Sequence, residues 1–321
     1  MKNKILDILK TETDYVSGEK LSSLLGISRA AVWKHINNLK KDGYVITAVT
    51  NKGYRLEDSD VLSSEEIKKI LNTKLIGKNI VCVEKTDSTN NLAKQRSNEP
   101  DGTVFLSEIQ TMGRGRRGKV WKSADKNGLW MSIMVKPDIE PQKVPCLTLI
   151  AGLAVQKALS EIYKEKFEIK WPNDLVLNKK KVCGILSEMS CEMERLEYAI
   201  CGIGVNLNNE AFDKDIENVA TSVYLETGKK IKRFEAAAEI IGRFEELYFR
   251  FIDDGIESII GEYKKVCATL GKDVVITGFG KEQKAKAVDV TPLGELVVET
   301  DGKKTVVTSG EVSVRGLFGY V

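Results

Sequence analysis

The side chains best suited to chemistry lie in one stretch, Gln110 to Trp121, which reads Gln-Thr-Met-Gly-Arg-Gly-Arg-Arg-Gly-Lys-Val-Trp. Arg114, Arg116, Arg117 and Lys119 alternate with Gly113, Gly115 and Gly118. Arginine offers a planar, permanently charged fork that matches phosphate or carboxylate oxygens. Glycine lets the backbone approach a ligand closely and reach positive φ. Trp121 adds a flat face on which a ring can stack. The pattern is that of an anion-binding loop ordered by its ligand. Taken alone, an Arg/Gly stretch reads equally well as a solvated segment or a sequence-tolerant RNA contact. The rest of the chain decides between these readings.

The single histidine, His35, removes much catalytic chemistry. Away from residue 35 no Ser-His-Asp triad can be built, and a zinc site made of histidines is impossible. The six cysteines never form Cys-x-x-Cys, and with no secretion signal they read as reduced thiols. Catalysis must therefore come from positioning and fixed positive charge. At 321 residues the chain should hold two or three domains. A net charge of +3 is too mild for wholesale nucleic-acid binding, so any DNA surface must be local. No apolar run is expected to reach the roughly 18–20 residues of a membrane span, and a cytoplasmic protein is expected.

The elements that must carry the loop follow from periodicity. Apolar runs at 103–106 and 129–135 predict that it joins two strands of a sheet. Upstream, short helices are expected at 5–9 and after Gly18. Ser28 should cap a third helix, which runs to about Asp42, with Val32, Ile36 and Leu39 on one buried face. Strands at 44–49 and 54–56 flank a turn at Thr50-Asn51-Lys52-Gly53. This is the pattern of a winged helix-turn-helix. Residues 28–55 hold six lysines and arginines against one acid, which focuses charge on the third helix and the hairpin tip. The candidates for DNA contact are Ser28, Arg29, Lys34, His35 and Lys52. Ser63-Ser-Glu-Glu66 reads as a capping box.

Further strands are expected at 80–83, 104–108, 129–135, 167–170, 176–177, 182–188 and 199–207. Long helices are expected at 147–162 and 232–252, with another at about 256–265. From 268 onward five short strands separated by turn signals predict a small β-barrel.

Four motifs in order carry a resemblance across the whole chain. They are Asp87-Ser-Thr-Asn90, the Gly-Arg-Gly-Arg-Arg-Gly core of the loop, Lys170-Trp-Pro-Asn-Asp-Leu175 followed by Lys181 and Gly184, and Gly202-Ile-Gly-Val-Asn206. Together they resemble the biotin protein ligase family, specifically its bifunctional bacterial members that also act as biotin-responsive repressors. The resemblance implies an α+β multidomain chain. A winged helix would occupy 1–60, and a catalytic domain related to class II aminoacyl-tRNA synthetases, with a mixed, antiparallel-rich sheet, 64–267. An SH3-like β-barrel would occupy 268–321. The implied substrates are biotin and ATP with Mg²⁺, joined as biotinyl-5′-AMP. The implied partners are a biotin carboxyl carrier protein, operator DNA and a second copy in a ligand-dependent homodimer, with no membrane.

Residue by residue, Ser88, Thr89, Asn90 and Gln110 resemble the positions that hold the ureido ring of biotin and neighbouring atoms. Arg114, Gly115 and Arg116 resemble the loop that closes over carboxylate and phosphate. Lys181 resembles the lysine at the carboxylate and α-phosphate, with Gly184 beside it. Arg116 and Lys181 are the implied catalytic pair. Lys119, Trp121, Asn173, Asn206 and Arg315 complete the nucleotide side, and Asp174 is a candidate metal ligand. Lys119 departs from the arginine that relatives often carry. Three alternatives stand beside this reading. They are a biotin sensor without transfer activity, a ligase whose winged helix no longer binds DNA, and a relative that ligates lipoate or another carboxylic acid.

Overall fold

A computed structural model describes the chain except for residues 124, 279–280, 309–312 and 317–321; the side chains of 278, 281 and 313–316 are also outside the description. The chain divides into two compact units, Met1–Val61 and Leu62–Val321.

In the first unit, α1 (Lys2–Thr11), α2 (Gly18–Leu25) and α3 (Arg29–Lys41) precede a hairpin of β1 (Ile46–Val49) and β2 (Gly53–Leu56). Ser17 and Ser28 cap α2 and α3 by accepting from the backbone N–H of Lys20 and Ala31. Val32, Ile36 and Leu39 are buried on one side of α3, against Ile5, Leu9, Leu21 and Ile46. Val16 adds a backbone bridge to Tyr54, so the hairpin gains a third short edge.

The second unit begins with α4 (Ser64–Ile70). The expected capping box does not form there. The Ser63 hydroxyl donates to the Glu65 carboxylate at 2.8 Å, and no side chain caps the helix. Then come β3 (Ile80–Thr86), α5 (Thr89–Gln95), β4 (Val104–Gln110), β5 (Leu129–Val135), α6 (Val144–Tyr163), β6 (Glu168–Lys170), β7 (Asp174–Leu177), β8 (Lys180–Glu192) and β9 (Arg195–Val205). The seven strands form one sheet in the order β3-β4-β5-β9-β8-β7-β6, antiparallel except for the β3/β4 pair. After α7 (Val223–Thr227), α8 (Arg233–Asp254) and α9 (Glu257–Val266), five strands make a second antiparallel sheet. They are β10 (Asp273–Gly278), β11 (Lys281–Val290), β12 (Leu296–Thr300), β13 (Lys303–Val307) and β14 (Ser313–Gly316), in the order β13-β12-β11-β10-β14.

Strand periodicity gives the main sheet two different faces. Met131, Ile133, Cys183, Ile185, Cys201 and Ile203 point into the core under α6 and α8. Their neighbours in sequence turn to the opposite face, where α5 packs over Phe105, Met134 and Ile200. The apolar side of the second sheet, including Val274, Ile276, Leu296 and Val298, is continuous with the main core. Trp171 fastens the two sheets together: its indole N–H donates to the Gly294 carbonyl at 2.9 Å.

The segment Pro141–Tyr163 is long enough to cross a membrane and contains an 18-residue stretch with a mean hydropathy of 1.2. It is nevertheless the central core helix, lying between the sheet and α8 with 67% of its most apolar stretch buried.

Candidate functional site

The α5 face of the sheet carries the site because its middle lacks side chains. Gly184 of β8 and Gly204 of β9 are direct cross-strand partners, and Gly202 lies opposite Ser132 of β5. The bare patch is filled from above by the 110–121 loop and by α5. A Cβ at Gly204 would stand 2.7 Å from the Trp121 indole nitrogen, and one at Gly202 only 2.2 Å from the Asn90 side-chain oxygen. These glycines are there for close approach, and the strand needs no bulge at either.

The loop joins β4 to β5, as the flanking apolar runs require. Its tip is a tight turn with Arg117 at φ 56° and Gly118 at φ 73°. Backbone bonds Gly115 N to Lys119 O and Trp121 N to Gly113 O zip its two arms together. The arms lead to a cavity of about 1350 Å³, ample for a nucleotide and a second small molecule.

One end of the cavity is neutral and polar. Ser88, Thr89 and Gln110 are nearly buried yet line it. The Thr89 N–H donates to Gln110 Oε1 at 2.8 Å, and Gln110 Nε2 donates to Ser123 Oγ at 3.1 Å. Asn90 is differently placed. Its amide donates to Leu186 O and to Glu188 Oε2, while its oxygen accepts from Ser132 Oγ at 2.6 Å. With these atoms engaged, Asn90 braces the floor. Asp87 is held below the usual carboxylate range: burial alone would raise it, but hydrogen bonds from Asn91 and the Ser88 N–H outweigh that.

The other end is cationic. Arg114, Arg116, Arg117, Lys119, Lys170, Lys179, Lys180 and Lys181 all line the cavity. Lys181 Nζ lies 2.5 Å from Asp174 Oδ1 and 5.1 Å from the Trp121 ring centre. Arg116 donates to Asn173 Oδ1 at 3.2 Å, and Asn173 Nδ2 donates to Ile185 O at 2.8 Å. Burial lowers the pKa of Arg116, with Asp174 opposing and Arg117 adding to the effect. Burial likewise pulls the Lys170 ammonium down to about 8, against the attraction of Asp174 and together with the repulsion of Lys181 and Lys119.

The structure thus brings together all but two of the sequence-derived small-molecule contacts. Asn206 is buried away from the cavity and donates to Thr221 O at 3.1 Å, so it supports the turn behind the site. Arg315 lies in β14, paired with Val275, but its side chain is outside the described residues. Three further residues touch the site or its floor: Lys170 lines the cavity, and Ser132 and Glu188 hydrogen-bond Asn90. Ser132 was detectable as the one polar residue inside the apolar strand Leu-Trp-Met-Ser-Ile-Met-Val. Lys170 opens the motif Lys170-Trp-Pro-Asn-Asp-Leu175. Glu188 gave no signal.

In the first unit, Arg29, Lys34 and Lys52 are exposed, as a DNA face requires. Ser28 is exposed too, with its hydroxyl engaged as the helix cap. His35 is half-buried, and its Nδ1 is enclosed without a hydrogen-bond partner. Trp33, unnoticed in the sequence, is 61% exposed one turn from Arg29.

Known proteins share this arrangement. Residues 82–206 match the biotin/lipoate A/B protein ligase family, 2–55 an HTH domain and 269–315 the biotin protein ligase C-terminal domain. The bifunctional ligase/repressor BirA of Bacillus subtilis is 37% identical over 293 residues, covering 90% of both chains. The chain belongs to the biotin protein ligase family. Among further members of this family, BirA of Escherichia coli is 29% identical over 304 residues, 94% of each chain. The biotin protein ligase of Aquifex aeolicus, solved in complex with biotin and ATP, matches at a TM-score of 0.66 and 32% identity, covering 74% of this chain and 99% of that one.

Proposed function

We propose that the protein is an ATP-dependent biotin protein ligase that also acts as a DNA-binding repressor. The observation that carries the reading is one cavity that has a neutral polar end, a cationic end and an arginine loop above both. The neutral end suits a ureido ring. The cationic end suits a carboxylate meeting a triphosphate.

A biotin carboxylate oxygen attacks the α-phosphorus of ATP; the new O–P bond forms as the bond to pyrophosphate breaks. Two anions must meet, so the main barrier is charge repulsion and orientation. Lys181 and Arg116 lower it by facing the developing charge. The fixed charges need no proton transfer, which fits a site with no histidine. A carrier-protein lysine, as the free amine, then attacks the acyl carbon; AMP departs and the amine proton is lost to solvent.

Among the described residues no group of three or more His, Cys, Asp or Glu side chains could cage a metal. The donors present still fit Mg²⁺ in its usual manner, held by one carboxylate, Asp174, and mainly by substrate phosphates. When bound, it would neutralise phosphate charge.

On the DNA side, α3 and the hairpin tip are suited to the major groove and the flanking backbone. A biotinyl-AMP-bound homodimer would present two such units to paired half-sites, in a cytoplasmic protein with six free cysteines.

The test is to mix the full chain with biotin, Mg²⁺ and α-labelled ATP, isolate the protein, and then add biotin carboxyl carrier protein. A biotin-dependent label that stays with the protein and is discharged by the carrier supports the ligase. Bound biotin without adenylate would make the chain a sensor. Adenylate-dependent retention of operator DNA tests the repressor half.

A further inference from the structure

Glu188 is used by neither end of the reaction described above, yet it stands where three elements meet. It projects from β8 on the α5 face, with its side chain 17% exposed. Its Oε1 takes Lys94 Nζ at 2.7 Å and Arg114 Nη1 at 3.3 Å, and its Oε2 accepts from Asn90 Nδ2 at 2.8 Å. Arg114 Nη1 also donates to Asn91 Oδ1 at 3.2 Å. Lys94, Asn90 and Asn91 belong to α5, Arg114 to the loop.

From Asn90 the hydrogen bonds continue. Ser132 Oγ lies 2.6 Å from Asn90 Oδ1 and 2.7 Å from Thr89 Oγ1. Thr89 donates to Gln110, Gln110 to Ser123, and the Ser123 hydroxyl to the Trp121 carbonyl at 3.2 Å. One chain of polar contacts therefore runs beneath the neutral end of the cavity. It grips the loop at its first residue, at Arg114 and at its last. Glu188 is the carboxylate of that chain, and it stays ionised: burial would raise its pKa, but Lys94, Asn90 and Arg114 hold it below the usual range.

We propose that Glu188 is a positioning residue that fixes Arg114, and with it the first arm of the loop, against α5, so that filling the biotin end and closing the loop occur together. This rests on the acyl-adenylate reading. Arg114 is 47% exposed, so the ion pair adds little to fold stability. Its effect is to decide where the guanidinium stands.

The experiment uses the full chain and Glu188→Gln, which keeps shape and removes charge. The readout is the lifetime of bound, labelled biotinyl-AMP after rapid desalting. The Gln variant should release it about tenfold faster, with KM for ATP within about twofold of wild type and an unchanged melting temperature. Arg114→Ala should shorten the lifetime similarly, and the double variant should be no worse than Arg114→Ala alone. Lys94→Met, which cuts the other ion pair but leaves Arg114 held, should stay within about twofold of wild type. An unchanged lifetime in Glu188→Gln overturns the proposal. So do effects of Glu188 and Arg114 that multiply, or a loss spread over both KM values and the melting temperature. If the wild-type chain itself retains no adenylate, the acyl-adenylate reading fails and the proposal with it; retention by wild type together with an unaltered Gln variant sinks the proposal alone.

Discussion

Lys170 gives the site a pH response. Its folded pKa of about 8 lies below the unfolded value near 10.4. Between these values the unfolded chain binds more protons than the native one, so its contribution makes stability rise with pH from about 8 to 10. Below 8 the buried ammonium is charged in both states and its full cost is present. A triphosphate at the cationic end would favour the charged form. ATP binding should therefore take up a proton above pH 8, and KM for ATP should climb as pH rises past that point. Calorimetric titration in two buffers of different ionisation enthalpy measures the uptake, and Lys170→Gln should abolish it. A second expectation concerns the glycine patch. Gly204→Ala places a methyl 2.7 Å from the Trp121 nitrogen, too near to be accommodated without moving the ring. The variant should lose about 10²-fold in kcat/KM for adenylation, as misplacement near a reacting centre does, while its melting temperature changes little. Retained activity would show that Trp121 need not rest on the sheet.

At the scale of elements, α3 separates positioning from reading. Arg29 and Lys34 suit phosphate contacts, whereas Trp33 offers an apolar face that suits a thymine methyl. Trp33→Ala should weaken operator binding about tenfold without altering the slope of log K against log salt, whereas Lys34→Ala should reduce that slope by about one unit. Fluorescence anisotropy across a salt series distinguishes them. The elements also show what could be read from sequence. Val32, Ile36 and Leu39 betray α3 through their spacing, and the loop is found from its flanking strands. Local chemistry suffices there. The pairing of Gly184 with Gly204, and of Gly202 with Ser132, depends on register between strands distant in sequence, which no local pattern encodes. For the same reason the place of Asn206 is not legible locally: it sits in a strong motif, and the strand's end turns its amide toward Thr221. The capping box at Ser63 failed because the neighbouring Glu65 competes for the hydroxyl.

Across the second unit, stability is concentrated where a single side chain serves several backbone groups. Glu245 of α8 accepts from the N–H groups of Lys74, Leu75 and Ile76 at 2.6–2.8 Å. Glu245→Ala strands these donors and should cost about 2–4 kcal/mol, measurable by urea denaturation of the full chain. The same substitution should leave Trp33 and the winged unit's own unfolding unaffected, since Met1–Val61 keeps a separate core.

The hydropathy of α6 has a consequence during synthesis. The helix ends at Tyr163, but its cover is completed only when α8 ends at Asp254, 91 residues later. At a translation rate of about 5–20 residues per second, this segment waits roughly 5–18 s with its apolar surface open. Over that interval a nascent chain offers chaperones, or a bilayer, the same helix that later forms the centre of the enzyme.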